Sequence, residues 1–144
     1  MAHILVLGAT GYVGGRLVPL LLKRGHRVRT LVRSAPKAGG RNWGSAVDIV
    51  EGDVLKPASL AAAFSHIEVV YYLVHSMASS DGDFEDLDRR AAGNVAEAAG
   101  NAGVKQIIYL GGLGRRDDAR SAHLRSRHEV GNVLRQGDTP VTEF

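Results

Sequence analysis

The stretch Ile-Leu-Val-Leu-Gly-Ala-Thr-Gly-Tyr-Val-Gly, at residues 4–14, decides how this chain folds. Its first four residues are apolar, and so short an apolar run is typical of a strand that is buried on both faces. Gly8, Gly11 and Gly14 follow at three-residue spacing, and an apolar pattern with helical periodicity comes next. The stretch therefore predicts a strand, a glycine-rich turn and a helix in direct succession.

This succession is typical of a phosphate-binding loop. In such a loop Gly8 permits a sharp turn, Gly11 lets a pyrophosphate approach the backbone, and Gly14 lets the helix pack close to the strand. The N-terminus of the helix offers unpaired N–H groups and a partial positive charge to phosphates. The alternative is a glycine-rich turn without a ligand. The candidate residues of the loop are Gly8, Thr10, Gly11, Tyr12, Val13 and Gly14.

The composition fits one globular domain. The chain has 144 residues, of which 44% are hydrophobic and 23% charged, and it shows neither a repeat nor an internal boundary. It has no cysteine, which excludes disulfides, thiolate metal ligands and a cysteine nucleophile. No apolar run approaches the ~20 residues of a membrane span, and no signal-peptide pattern precedes the first strand. We therefore expect a cytoplasmic protein that does not bind membranes, with no metal site.

Charge is distributed unevenly along the chain, although the net charge is only +3. Residues 1–47 contain eight Lys or Arg and no Asp or Glu, whereas residues 48–86 contain eight acidic residues and a single Lys. A basic first third suits nucleic acid, a ligand with several phosphates, or a solvated face. Few aromatic residues are interleaved with the basic ones, and no nucleic-acid motif occurs, so no nucleic-acid partner is expected.

Strand patterns alternate with helical patterns along the chain. We predict strands at residues 4–7, 26–33, 46–50, 68–74, 106–110 and 140–144, and helices at residues 12–24, 57–64, 84–101 and 121–135. Residues 34–45 and 75–83 read as loops. The alternation predicts an α/β fold with a doubly wound parallel sheet. Right-handed crossovers and the glycine pattern favour the strand order 3-2-1-4-5-6.

The end of the second strand predicts which dinucleotide binds. In this fold the residue there contacts the adenosine ribose, and an acidic residue selects NAD whereas Arg accommodates the 2′-phosphate of NADP. Residues 31–34 read Leu-Val-Arg-Ser, with no carboxylate. Arg33 can form a charge-assisted fork with a phosphate, Ser34 can add a hydroxyl donor, and Lys37 or Arg41 can assist. We therefore predict that the chain binds NADP in preference to NAD. The alternative is that Arg33 is an ordinary surface arginine without a ligand.

Four short motifs resemble one superfamily. They are Gly-Ala-Thr-Gly-Tyr-Val-Gly at 8–14, Leu-Val-Arg at 31–33, Gly-Asp-Val at 52–54, and Asn-Val-Ala-Glu-Ala-Ala at 94–99 leading into Val-Lys-Gln-Ile-Ile-Tyr at 104–109. Together they resemble the atypical branch of the short-chain dehydrogenase/reductases that includes NmrA-like NAD(P)H-binding proteins. The resemblance covers essentially the whole chain. It implies a Rossmann fold and either an oxidoreductase or, as in some NmrA-like members, a non-catalytic NAD(P)-sensing protein.

The resemblance also implies further cofactor contacts. It places Asp53 against the adenine amino group and Val54 along the adenine ring. The alternative for Asp53, compatible with the first role, is a cap on the following turn. The resemblance places Val74 and His75 beside the ribose and nicotinamide, although a lone histidine is more often structural.

At the catalytic positions the chain departs from the superfamily. Gly111 and Gly112 stand where the superfamily has its catalytic Ser, and the Tyr-x-x-x-Lys pair falls on His123 and Arg127. His123 can exchange a proton near neutral pH, whereas Arg127 can hold a ribose but stays charged. These two are the candidate catalytic residues; the alternative is ordinary polarity of a helix surface. The superfamily's helical Asn aligns loosely with Asp88.

The resemblance also predicts that a substrate-binding region is missing from residues 1–144. Superfamily members continue past the equivalent of Phe144 into strands and helices that cover the nicotinamide and bind the substrate. The chain then represents either a fragment or a protein reduced to its cofactor half, and its small-molecule substrate is not identified. A last strand that ends at Phe144 leaves an open sheet edge, which favours self-association.

Overall fold

The computed structural model describes residues 1–74, 84–111 and 122–144. These residues contain the strands β1 (His3–Leu7), β2 (Arg27–Val32), β3 (Asp48–Glu51), β4 (Val69–Tyr72), β5 (Gln106–Tyr109) and β6 (Val141–Glu143). All neighbouring strands pair in parallel, in the order β3-β2-β1-β4-β5-β6. The predicted Rossmann-like fold and strand order are confirmed.

Helices cover both faces of the sheet. They are α1 (Tyr12–Lys23), α2 (Ala35–Gly39), α3 (Leu60–Phe64), α4 (Phe84–Ala102) and α5 (Ala122–Arg135), with 3₁₀ turns at Gly44–Ala46 and Pro57–Ser59. Successive side chains of β1 point to opposite faces. Ile4 and Val6 join the apolar cluster with α1 and α2, while Leu5 and Leu7 join the cluster with α3, α4 and α5. Burial on both faces explains why this strand is apolar throughout.

The predicted loop at residues 34–45 is wrong in part, because it contains the short helix α2. Ala46, predicted as the first residue of the third strand, belongs to a 3₁₀ turn, and the strand begins at Asp48. The buried side chains of Ala38 and Trp43 explain the difference, because they pack this segment against the sheet. The segment is too short and too rich in small residues to show a periodicity.

Helix α1 continues past Pro19, as predicted, and ends close to Gly25. Pro19 is exposed, so its ring lies on the solvent side of the helix. Gly25 has φ +86° and donates its N–H to Leu22 O at 3.0 Å, which is typical of a helix terminated by glycine. The helix therefore spans the distance from the glycine-rich loop back to the opposite edge of the sheet.

Charged groups cross-link the amino edge of the sheet, where the parallel strands begin. Glu68 Oε2 accepts the backbone N–H of His3 at 2.9 Å, and Lys105 Nζ lies 3.3 Å from Glu68 Oε1. Asp48 Oδ2 lies 3.8 Å from an Arg27 guanidinium nitrogen. The hydrogen bond from His3 and the neighbouring Lys105 lower the pKa of Glu68 below its ordinary value. Hydrogen bonds and ion pairs between residues of the protein therefore connect the strands at this edge.

Candidate functional site

A cleft of about 430 Å³ opens at the carboxyl edge of the sheet, where β1, β2 and β3 end. In open α/β sheets, ligands bind outside the carboxyl ends of the strands. The lining residues are Leu7, Gly8, Ala9, Thr10, Leu31, Val32, Arg33, Ser34, Gly52, Asp53, Val54, Leu55, Val74, Leu87, Asp88 and Ala91. The cleft therefore combines residues from the exits of four strands, β1 to β4, with one face of α4.

The glycine-rich loop at residues 8–14 has the shape that its sequence predicts. Gly8 has φ +93°, and a Cβ there would lie 2.8 Å from Leu73 O. A Cβ on Gly14 would collide with Gly8 O and lie 2.8 Å from Ala9 Cα. At Gly11, by contrast, the only atom of the described residues within 4 Å of an added Cβ is Gly8 O, at 3.4 Å. Close packing of the protein requires glycine at two of the three positions, whereas the described residues leave space for a side chain at Gly11.

The N-terminus of α1 has no side-chain cap. Gly11 is the N-cap residue, and the first turn contains no acidic residue. Tyr12 and Val13 are exposed by 75% and 44% and do not line the cleft. The Arg16 guanidinium stacks 3.7 Å from the centre of the Tyr12 ring. Among the described residues, no side chain caps the first backbone N–H groups of this 12-residue helix, which suits an anionic ligand.

Two arginines lie near the end of the cleft that follows β2. Arg33 and Ser34 are exposed and line it directly beyond β2. Arg41 Nη2 donates a 2.6 Å hydrogen bond to Thr10 O in the glycine-rich loop. Within the described ranges no ion pair involves Arg33. The sequence singled out both arginines, but the contact between Arg41 and Thr10 depends on how residues 35–46 fold.

A carboxylate that the sequence patterns did not indicate lies close to this end of the cleft. Glu51 Oε1 accepts the N–H of Ala35 at 2.9 Å, directly after Ser34. Glu51 is the last residue of β3 and pairs with Val32 of β2. The sequence rule for cofactor selection concerns the end of the second strand alone, whereas the parallel pairing of β2 with β3 brings this acidic residue to the same place.

Asp53 forms the cap that was one of its two predicted roles. Its Oδ1 accepts the N–H of Leu55 at 2.9 Å, and its own N–H donates to Ser59 Oγ at 3.0 Å. Asn94 Nδ2 donates to Val54 O at 2.8 Å and so ties this turn to α4. The turn is thus fixed from two directions, and both Asp53 and Val54 line the cleft. Their contact with adenine stays a prediction.

Helix α4 supplies a buried carboxylate to the cleft. Asp88 is only 8% exposed, and its Oδ2 accepts a hydrogen bond from Ser126 Oγ of α5 at 3.0 Å. Burial raises the pKa of the neighbouring Tyr72, and the Asp88 charge raises it further. Tyr72 is therefore a neutral core residue. Leu87 and Ala91 line the cleft on the same helix, and the sequence had placed them only on an apolar helical face.

Of the two candidate catalytic residues, the structure describes the side chain of Arg127 alone. His75 and the side chain of His123 lie outside the described residues. Arg127 is half-buried on α5 and is not a lining residue, and its carbonyl accepts the Tyr109 hydroxyl at 2.8 Å. Burial raises the pKa of Tyr109, so this phenol stays protonated at neutral pH. The catalytic roles of His123 and Arg127 stay predictions.

Metal-binding clusters and membrane-spanning helices are both absent from the part of the chain that the structure describes. Across residues 1–74, 84–111 and 122–144, no cluster of three or more His, Cys, Asp or Glu could hold a metal ion. No helix in this part of the chain has the length and apolar character needed to cross a membrane.

Comparison with known proteins identifies the class. Residues 8–138 match a protein family described as NAD(P)H-binding, so the chain belongs to that family. Together with the fold, this places it in the NmrA-like, atypical branch of the short-chain dehydrogenase/reductase superfamily. The resemblance drawn from the sequence motifs is confirmed.

The relatives include a reductase and an assembly factor. The chain is 35% identical over 120 residues to the chloroplastic divinyl chlorophyllide a 8-vinyl-reductase of Zea mays, an alignment that covers 76% of this chain and 30% of the reductase. It is 32% identical over 109 residues to the photosystem II assembly factor Ycf39 of Synechocystis, covering 75% of this chain and 33% of Ycf39. The matched region is thus about a third of the length of these relatives.

Solved structures confirm the fold and include both dinucleotides. The triphenylmethane reductase of Citrobacter, complexed with NADP(H), superposes with a TM-score of 0.80 at 28% identity, covering 97% of this chain and 48% of that one. WbmG of Bordetella bronchiseptica, in complex with NAD, superposes with a TM-score of 0.80 at 20% identity, covering 99% and 52%. The second likeness concerns the fold alone.

Proposed function

We propose that residues 1–144 form the cofactor domain of a reductase and bind NADP(H) in the cleft in preference to NAD(H). The observation that carries this proposal is the position of Arg33 and Ser34, which line the cleft directly beyond β2. The Citrobacter reductase, which was crystallised with NADP(H), supports it by likeness. A guanidinium forms a planar fork that matches a phosphate, and such charged hydrogen bonds are among the strong ones.

The residues at the glycine-rich loop fit a pyrophosphate. Open space beside Gly11 and the uncapped N–H groups of α1 suit its negative charge. In the proposed arrangement Thr10 and Gly8 border the phosphates, Asp53 and Val54 hold the adenine, and Val74 leads toward the nicotinamide. The exposed Tyr12 and Val13 flank the entrance, and Gly14 keeps the helix close to the strand.

Titration calorimetry with NADPH and NADH tests the cofactor preference. A charged hydrogen bond contributes ~1.5–3 kcal/mol, so NADPH should bind about ten- to a hundredfold more tightly. Arg33→Ala should remove that preference and leave NADH binding nearly unchanged. Arg24→Ala, at the far end of α1, removes the same charge as a matched control. Equal affinities for the two cofactors in the wild-type chain would contradict the proposal.

Hydride transfer is the chemistry that a bound nicotinamide supplies. The second candidate function is a non-catalytic one, in which the chain binds or senses NAD(P) without hydride transfer. The His123-x-x-x-Arg127 pair favours this candidate, because it replaces the Tyr-x-x-x-Lys pair of the superfamily. Loss of a general acid costs typically 10²–10⁴-fold in rate. In the reductase interpretation His123 donates the proton, Arg127 holds the ribose, and His75 lines the nicotinamide. The substrate is an unidentified small molecule with a reducible group.

An assay of NADPH oxidation against quinones, aldehydes and ketones separates the two functions. It should be run on this chain and on a version extended to the end of its reading frame. We expect no useful turnover by residues 1–144. Activity of these residues that His123→Ala removes would identify His123 as the proton donor and contradict that expectation. Binding of NADPH by both versions, with turnover by neither, would favour the non-catalytic function. The cytoplasmic location and self-association expected from the sequence also stay proposals.

A further inference from the structure

The neighbourhood of Arg33 contains one acidic side chain whose position the sheet fixes. Val32 of β2 pairs with Glu51 of β3, and Gly52 N donates to Val32 O at 2.9 Å. The two strands therefore end side by side, and Arg33 and Gly52 both line the cleft. Glu51 is thus held at the same edge as the proposed site of the 2′-phosphate.

A hydrogen bond also fixes the direction of the Glu51 side chain. Its Oε1 accepts the N–H of Ala35 at 2.9 Å, one residue beyond Ser34. Glu51 is exposed, and within the described ranges no ion pair neutralises either Glu51 or Arg33. A negative charge is consequently held beside the two residues that are proposed to contact the phosphate.

We propose that Glu51 is a specificity-determining residue that limits the preference for NADPH. A phosphate monoester carries about −1.5 to −2 charges at neutral pH, so the fixed carboxylate opposes the charge that Arg33 attracts. The ribose hydroxyl of NADH is uncharged and meets no such opposition. The carboxylate acts through its charge, because its Oε1 is already engaged with a backbone N–H. This proposal rests on the proposed binding of NADP(H) beside Arg33.

The substitution Glu51→Gln tests the charge while keeping an oxygen that accepts the Ala35 N–H. We expect NADPH to bind about three- to tenfold more tightly at low ionic strength, in the range of one nearby charge at a solvated site. NADH affinity should change by less than about twofold. The gain should shrink toward 1 M salt, where the Debye length falls to about 3 Å.

Glu97→Gln is the matched control, because it removes the same charge from an exposed position of α4 that does not line the cleft. Its effect on NADPH affinity should be less than about twofold. Circular dichroism checks that both variants are folded. Calorimetric titrations with NADPH and NADH on the wild type, Glu51→Gln and Glu97→Gln give the affinities to be compared.

Three results would overturn the proposal: unchanged NADPH affinity in Glu51→Gln, equal gains in Glu51→Gln and Glu97→Gln, or a selective loss of NADH affinity. The last result would mean that Glu51 binds the ribose hydroxyl. Failure of the underlying function looks different, because Arg33→Ala would then leave NADPH affinity unchanged. If Arg33→Ala weakens NADPH binding and Glu51→Gln has no effect, only the role of Glu51 is wrong.

Discussion

The amino edge of the sheet and the exit of β2 at its carboxyl edge differ in how their charged residues are paired. At the amino edge, Glu68 lies against Lys105, and Asp48 lies against Arg27. At the carboxyl edge, Arg33 borders a cleft, and no ion pair reaches it in the described part of the chain. Exposed ion pairs contribute little to stability. The pairs at the amino edge therefore serve mainly to fix the arrangement of the strands. The second edge keeps its charge available for a ligand.

Within the carboxyl edge, the glycines of the loop at residues 8–14 differ in how closely they are packed, and the largest expected effect follows from that difference. Gly11→Val should weaken NADPH binding by about a hundredfold or more, about 2.8 kcal/mol, because the side chain fills the space proposed for the pyrophosphate. The fold should persist, since a Cβ at Gly11 lies 3.4 Å from its nearest neighbour among the described residues. Calorimetry and circular dichroism measure the two effects. A folded variant with normal affinity would place the phosphates elsewhere.

Gly14→Val provides the contrast to Gly11→Val. Its Cβ would collide with Gly8 O, so the variant should lose stability, with overpacking costing typically 1–3 kcal/mol and occasionally more. Urea denaturation measures this loss. Equal stability of the two valine variants would contradict the separation of packing glycine from ligand-facing glycine.

Arg41→Ala should have a smaller effect at the same edge. Its guanidinium holds Thr10 O at 2.6 Å, and the neighbouring Trp43 anchors the segment in the core. We expect a loss of about three- to tenfold in NADPH affinity, since this contact is solvated. Arg24→Ala again removes a charge far from the cleft as the control. An unchanged affinity would limit Arg41 to a role in the free protein.

The smallest effect concerns His3 at the amino edge. Burial lowers the pKa of His3, and the charges of Arg29 and Arg27 lower it further. The unfolded chain therefore binds more protons than the folded one, so this contribution to stability is complete above the ordinary histidine pKa near 6.5 and is lost as pH falls through the folded value.

Urea denaturation between pH 7.5 and 5 should accordingly show a smaller decline for His3→Gln than for the wild type. NADPH affinity at pH 7.5 should be the same in both proteins, because His3 begins β1 at the edge opposite the cleft. An identical pH dependence of the two free energies of unfolding would show that His3 does not contribute to it. A change in affinity would show that the two edges are coupled.

Local sequence patterns determined the architecture of this protein. The apolar run before Gly8 predicted the central strand, because a strand buried on both faces has no polar positions. Strand patterns alternating with helical ones predicted a parallel sheet and its order, since parallel strands need right-handed crossovers. The same patterns placed Arg33, Ser34, Asp53 and Val54 at strand exits, and all four line the cleft.

Contacts between distant segments were decided only by the tertiary structure. Arg41 reaches Thr10 across 31 positions, and Ser126 donates to Asp88 across 38. No periodicity records such pairs, because they depend on strand register, crossover length and the packing of Trp43. Glu51 shows the reason most plainly. Its position in the sequence says only that a strand ends there, whereas its pairing with Val32 places a carboxylate beside the arginine that is proposed to select the cofactor.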